Sequence, residues 1–324
     1  MRKVMGILSA VVVMAALAAC GSSDSDTAGS APWTFTDGRG EKISLDSAPQ
    51  RVVAQSSIAA ALADLGVEVV GTFGPLKLPD GSVDPQAAGL DPAKVTDVTG
   101  GGEYGTLDLE KVAELKPDLV ITNMYEKPEL WYMNDDTAAK VAKVAPILAI
   151  NYQGLDLVQT LDSVEKVAGR LGADLDSSQA VKARKDFADA SARLTAVGQT
   201  MGDRTVLPVS TTTDLLYVGD PAQFPDIAYY KEIGLPMAEV TPAKDSYWDE
   251  LSWEKSDKYD ADIALWDDRI GETGLADLKK QPVFGTITAA ENDAYVPWAA
   301  VTPAGYSAYA RVINTLTDNL EKNL

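Results

Sequence analysis

The order of apolar and polar positions divides the chain into two stretches of strand–helix rhythm with a helical stretch between them. Trp33 to Ser47 (WTFTDGRGEKISLDS) alternates around Asp37-Gly38, which predicts a β-hairpin. RVVAQ, from Arg51, is a short β-branched run of a buried strand. SSIAAALADLG then supplies a Ser N-cap, an apolar helix and a stop at Gly66. VEVVGTFG reads as the next strand, whereas Leu76 to Gly102 is rich in Pro, Gly and Asp and predicts little regular structure. Asp108 can cap a short helix over Leu109–Leu115, and Pro117 follows it. DLVIT and PILAI are buried strands on either side of a helix near Asp136–Val144. Apolar strands in β-α-β order imply a parallel sheet.

The texture changes after Leu155. Leu157, Leu161, Val164, Ala168 and Leu171 fall at i, i+4, i+7, i+11 and i+14, one stripe of a long helix that Gly172 can end. A second helix is predicted over Ser178–Val197, after which RTVLPVS restarts the rhythm. A strand at Thr205–Ser210, a hairpin arm at Leu215–Gly219 and a helix at Pro225–Ile233 follow. Beyond them come a strand at Ala261–Trp266, a helix at Gly274–Gln281, a strand at Ala294–Pro297 and a closing helix over Tyr306–Asn323. The expected fold class is therefore α/β: two Rossmann-like lobes with mostly parallel sheets, residues 33–153 and 176–324. One long helix within 154–175 joins them, leaving a ligand cleft between the lobes.

Length and composition agree with this picture. A chain of 324 residues exceeds a comfortable single core, and 46% hydrophobic with 23% charged residues describes a globular protein. Arg2 and Lys3 precede an apolar run from Val4 to Leu17, too short to span a membrane comfortably, so residues 1–19 read as a signal peptide. Leu17-Ala18-Ala19-Cys20 resembles a bacterial lipobox. Cys20 is the only cysteine, which excludes an intrachain disulfide and makes it the expected lipidation site. The small polar residues from 20 to 32 read as a flexible tether. Loss of residues 1–19 would remove two cations and no acid, deepening the formal charge of −20. Such acidity disfavours nucleic acid and mildly favours a cationic ligand; it also serves solubility.

One pattern occurs twice. YGTLDLEKVAELKPDLVI, from Tyr104, returns in degraded form as WDELSWEKSDKYDADIAL, from Trp248. Leu107/Leu251, Glu110/Glu254, Lys111/Lys255 and Asp118/Asp262 coincide, and an aromatic stands six residues before each shared Glu. A Glu in the first turn of a helix is favoured by the dipole alone, by a few tenths of a kcal/mol. The dipole does not account for the aromatic, nor for the same spacing in both halves. Two aromatics on loops leading into helices would face one another if the lobes oppose their strand ends, where ligands of open α/β sheets sit.

On these residues, together with DGRGEKISLDSAPQRVVAQS and LDLEKVAELKPDLVI, the sequence resembles bacterial substrate-binding lipoproteins that serve ABC importers of ferric siderophores, cobalamin and haem. The resemblance covers nearly the whole mature chain. It implies a monomeric extracytoplasmic receptor, held by Cys20 at the outer face of the cell membrane. It also implies small lobe motions about a rigid helix. Glu110 and Glu254 would dock to arginines of the permease dimer, and Tyr104 and Trp248 would take ligand-stacking positions.

The residue types narrow the ligand. Protein-held transition metals need imidazoles or thiolates, and the chain has no histidine and a single cysteine. Haem loses its usual axial ligands, although Tyr remains. Asn134-Asp135-Asp136 lacks the spacing of an EF-hand and reads as a solvated helix cap. A siderophore brings its own oxygen shell to iron(III), so the protein needs no cofactor, only aromatic faces and a few donors. Candidates are Tyr104, Tyr125, Trp131, Tyr217, Trp248, Trp266 and Trp298; for each, core packing is the alternative. Gln55 and Ser56, with Ser57, could meet the ligand or cap the next helix. Arg269, in WDDRIG, is the one plausible cleft cation of the second lobe, or a partner of Asp267 or Asp268. AAVTPAGYS, after Trp298, has no Arg or Lys. Anionic catecholates and citrates need several cations, so a neutral or cationic hydroxamate of the ferrioxamine kind is expected. Cobalamin or haem is the runner-up. A hydrolase is remote, because there is no His for a relay and no G-x-S-x-G elbow.

Overall fold

β1 (Trp33–Thr36) and β2 (Lys42–Leu45) form the expected antiparallel hairpin, but the reason for Gly38 differs from the one the alternation suggests. The left-handed turn residue is Gly40, with φ +83°. Gly38 is needed for close approach: its N–H donates to the Ala149 carbonyl at 2.7 Å. A Cβ there would lie 2.5 Å from the Asn151 backbone nitrogen. The buried carboxylate of Asp37 accepts from the Ala149 N–H and from Arg39, which fixes the hairpin against the first sheet. The computed structural model describes residues 32–242 and 246–324. The expected signal peptide, Cys20 and all of the tether except Pro32 lie outside the described residues.

The first sheet is wholly parallel, in the order β5 (Thr96–Asp97), β4 (Gly71–Phe73), β3 (Val52–Gln55), β6 (Leu119–Met124), β7 (Ile147–Asn151). β3, β4 and β6 are buried along their whole length, because helices cover both faces. The loop read as irregular supplies β5, an edge strand of two residues too short to show a period. α1 (Ser56–Asp64) follows β3 with no loop between them. Its N-cap is therefore Gln55, not a serine: the Gln55 side-chain oxygen accepts from the Ser57 and Ile58 amides. α2 (Leu109–Leu115) is capped by Asp108 as expected, and α3 (Asp135–Val141) by Asn134.

α4 (Leu157–Arg170) carries the predicted stripe. Leu157, Leu161, Val164 and Ala168 are completely buried, and an Asp156/Gln159 capping box closes the N-terminus. Each such Leu contributes about 1.5–3 kcal/mol by leaving water. The apolar cluster around α4 is continuous from Ile58 and Ile121 on one side to Phe187, Tyr230, Trp298 and Ile313 on the other. Wide separation of the two sheets would expose that shared core.

α5 (Ser178–Thr200) leads into the second sheet, ordered β10 (Trp248–Ser252), β9 (Leu215–Gly219), β8 (Val206–Thr211), β11 (Ile263–Asp267), β12 (Tyr295–Trp298). β8, β11 and β12 are parallel, while β9 and β10 add an antiparallel extension. α6 (Pro225–Glu232), α7 (Gly271–Leu278), the single turn α8 (Thr288–Glu291) and α9 (Tyr306–Lys322) complete the chain. The second copy of the repeated pattern departs from the first here. Trp248 opens strand β10, and Glu254 sits in one 3-10 turn, Trp253–Lys255. Ser252 makes no capping bond to that turn. The copies share sequence spacing without sharing secondary structure.

Candidate functional site

β6 is a central strand of the first sheet, and the chain leaves its C-terminal end as Tyr125-Glu126-Lys127-Pro128-Glu129-Leu130-Trp131. Strand ends at this edge are where open α/β sheets bind ligands. The segment folds back on its own strand: the Trp131 N–H donates to the Asn123 carbonyl at 2.8 Å, and the Thr122 hydroxyl donates to the Trp131 carbonyl at 2.8 Å. Tyr104 reaches the same place from the loop before α2. Its hydroxyl accepts from the Tyr132 N–H at 3.1 Å. Gly105, at φ +79°, lets this loop touch Asn134, since a Cβ there would lie 2.6 Å from the Asn134 nitrogen. Tyr125 and Trp131 meet edge to face at 4.9 Å, and Tyr104 and Tyr132 lie 5.0 Å apart.

The second sheet opposes this aromatic wall with one of its own. Phe224, just before α6, packs edge to face against Trp248 at 4.8 Å and Tyr247 at 5.0 Å. Arg269 follows β11, and Ala300 and Val301 follow β12. The Tyr247 hydroxyl donates to the Tyr125 carbonyl at 2.7 Å, a direct hydrogen bond from one lobe to the other. Burial pushes the Tyr247 phenol up to about 12. Between the walls lies a cavity of about 410 Å³, lined by Tyr104, Tyr125, Trp131, Trp248 and Arg269 among others.

Five of the ten residues nominated from sequence for the ligand thus surround one cavity. The other five do not line it. Trp298 is 1% exposed, and its indole N–H donates to the Asp226 carboxylate at 2.7 Å. Trp266, 7% exposed, belongs to the core of the second sheet. Tyr217 packs behind Trp248 at 6.1 Å. Gln55 and Ser56 are fully buried and spend their polar groups on one another and on the start of α1. These strands are covered on both faces, so a ring near a strand end can point into the core. Glu110 and Glu254 are both exposed, as a docking role requires.

The charges of the cavity are few. Arg269 is gripped by both oxygens of Asp267, at 2.9 Å from Nε and 2.6 Å from Nη2. Ser210 also donates to Asp267, so Arg269 is both a cavity residue and an ion-pair partner. Burial, reinforced by Asp267, pushes the neighbouring Asp268 carboxyl up to about 6. Glu126 and Glu129 line the mouth, and among the described residues neither pairs with a cation. Sequence reasoning missed these two acids along with Leu130, Phe224, Tyr247, Ala300 and Val301. The density of YEKPELWY directly after an apolar strand was the available signal for the first group. Phe224 had none, because its place depends on ring contacts with Tyr247 and Trp248, more than twenty residues away in the chain.

Two opposed lobes with an aromatic cleft define a ligand-binding receptor, and comparison with known families agrees. The chain belongs to the periplasmic binding protein family, whose profile matches residues 52–299. It is a binding protein and not an enzyme, which removes the hydrolase alternative. The chain is similar to the crystal structure of DesE, a ferric-siderophore receptor protein from Streptomyces coelicolor. Identity is 33% and the TM-score 0.81, covering 90% of this chain and 98% of that one. It is 28% identical over 254 residues to the iron(3+)-hydroxamate-binding protein FhuD of Bacillus subtilis (strain 168), covering 75% of this chain and 72% of FhuD. The petrobactin-binding protein YclQ of Bacillus subtilis shares the fold, with a TM-score of 0.66 at 17% identity, covering 90% of this chain and 99% of that one.

Proposed function

We propose that this protein is an extracytoplasmic receptor that captures a ferric siderophore of the hydroxamate type and passes it to an ABC permease for iron uptake. The observation that carries the reading is the charge of the cavity wall. Aromatic rings from both lobes surround a space whose single cation among the described residues, Arg269, is already neutralised by Asp267. An anionic catecholate or citrate shell would find no free cation on that wall. An uncharged hydroxamate shell needs only ring faces over its methylene loops and a few donors. The similarity to DesE, a ferric-siderophore receptor, and to FhuD, an iron(3+)-hydroxamate-binding protein, supports the siderophore and hydroxamate parts of the reading respectively. In this reading residues 33–153 and 176–324 are the lobes, 154–175 holds the connecting helix, and the protein acts as a monomer. Cys20 carries the lipid anchor, and Glu110 and Glu254 meet the permease dimer.

Trp131 and Trp248 on the cavity wall make intrinsic fluorescence the direct test. Titration with iron-loaded ferrioxamine should quench at submicromolar concentration, and cobalamin and haemin should not. Quenching by cobalamin alone overturns the siderophore assignment.

A further inference from the structure

The seam where the two lobes share their core is polar at one place. β6 presents Ile121, Asn123 and Tyr125 on one face, and β7 sets Ile150 opposite Asn123. Tyr152 follows β7 and meets the Tyr125 ring edge to face at 5.4 Å. From the second lobe, α6 brings Asp226 and Tyr230 to this place, and α9 brings Tyr309. Burial pushes the Tyr309 phenol up, and Asp226, Tyr230, Tyr125 and Tyr152 all reinforce the rise, so groups of both lobes surround it. Asn123 and Tyr230 are fully buried, and Tyr152 is 3% exposed. Yet both polar atoms of the Asn123 amide and the hydroxyls of Tyr152 and Tyr230 have no hydrogen-bond partner among the described residues.

A buried amide or phenol left without a partner is costly, and native structures rarely tolerate one. Separate packing faults in a dry core are the alternative, but they would not gather unmet groups of both lobes around the same phenol. Whatever meets these groups must donate as well as accept: the amide nitrogen offers protons, the amide oxygen takes one, and a phenol does either. A cation would leave the amide nitrogen unmet, and an anion the amide oxygen. Water serves both, and polar internal sites hold it through about two to four bonds. We propose that the seam binds ordered water that bridges Asn123 and Tyr152 of the first lobe to Tyr230 of the second. The bridge is a second polar tie between the lobes, beside the direct bond from Tyr247 to the Tyr125 carbonyl. Because water donates and accepts in several directions, such a tie tolerates small changes of lobe angle that a direct bond does not.

The test joins a crystal structure of the chelate-free protein, at a resolution that shows ordered water, to urea unfolding of the full chain and of Y152F, Y230F and Y152F/Y230F. Density for water bonded to the Asn123 amide and to both phenols is expected, and a seam without water on these groups overturns the bridge. Each single substitution removes one heavy atom and one partner of the bridge, so it should raise the unfolding constant about fivefold. Water shared between the phenols makes their effects interdependent, so the double variant should lose less than the product of the two. In a dry seam each substitution removes an unmet hydroxyl, and the unfolding constant should stay level or fall. That result overturns the proposal, as does a double variant whose effects multiply in full.

Discussion

Asp226 offers a prediction that the structure makes quantitative. It lies in the first turn of α6, 4% exposed, and its carboxylate accepts the indole N–H of the buried Trp298 at 2.7 Å. Burial raises its pKa from 3.8 to about 6, although Trp298, nearby backbone amides and Arg269 all oppose the rise. A folded pKa above the unfolded one means that the native state binds the extra proton between these values. The stabilising contribution is thus complete below pH 3.8 and is lost as pH rises through about 6. The interval corresponds to about 3 kcal/mol. Asp226→Asn removes the titration and keeps an acceptor for Trp298. Any fixed cost of the new amide group is independent of pH. The assay is urea unfolding of both proteins from pH 4 to 7.5. The stability of wild type minus variant should fall by about 2 kcal/mol across that range, since part of the full interval lies below pH 4. Asp268, also pushed up to about 6, is present in both proteins and cancels in the difference. A difference that stays flat with pH refutes the claim that this carboxyl is charged at a cost in the folded state.

Trp248→Ala removes one wall of the cavity and should weaken chelate binding by about 2 kcal/mol, near thirtyfold, in a fluorescence titration that still reads Trp131; unchanged affinity would deny the stacking role. Charge reversal at Glu110 and Glu254 should leave affinity for the chelate intact and abolish iron uptake by cells, and normal uptake would refute the docking role. Gly38→Ala forces a Cβ against β7 and should lower stability by about 1–3 kcal/mol in urea melts. Leu161→Ala empties the shared core beside α4 and should cost about 2–5 kcal/mol by the same measurement.

Much of the fold was legible because periodicity reports which faces are covered. The α4 stripe, the buried strands DLVIT and PILAI, the Asp108 cap and the opening hairpin follow from local pattern and appear where the pattern puts them. Local pattern misled where the same spacing served two structures. WDELSWEKSDKYD aligns with a helix-capping segment, yet its alternation of buried Asp249 and Leu251 with partly or fully exposed neighbours is that of a strand, and pairing with β9 decided the matter. Similarly, no local feature separates Trp298, which is sealed in the core, from Trp131, which borders the cavity.

The residue order by itself determined which segments are amphipathic, where helices begin, that histidine ligation is excluded, and that each half carries an aromatic before a glutamate. Those properties belong to side chains and their neighbours within a turn or two. Tertiary structure alone decided which rings share a cavity, that Arg269 spends its charge on Asp267, that Tyr247 bridges the lobes, and that two glutamates at the mouth stand without a cation among the described residues. Each depends on groups distant in the chain being brought within a few ångströms, and charge and stacking take their effect from that distance.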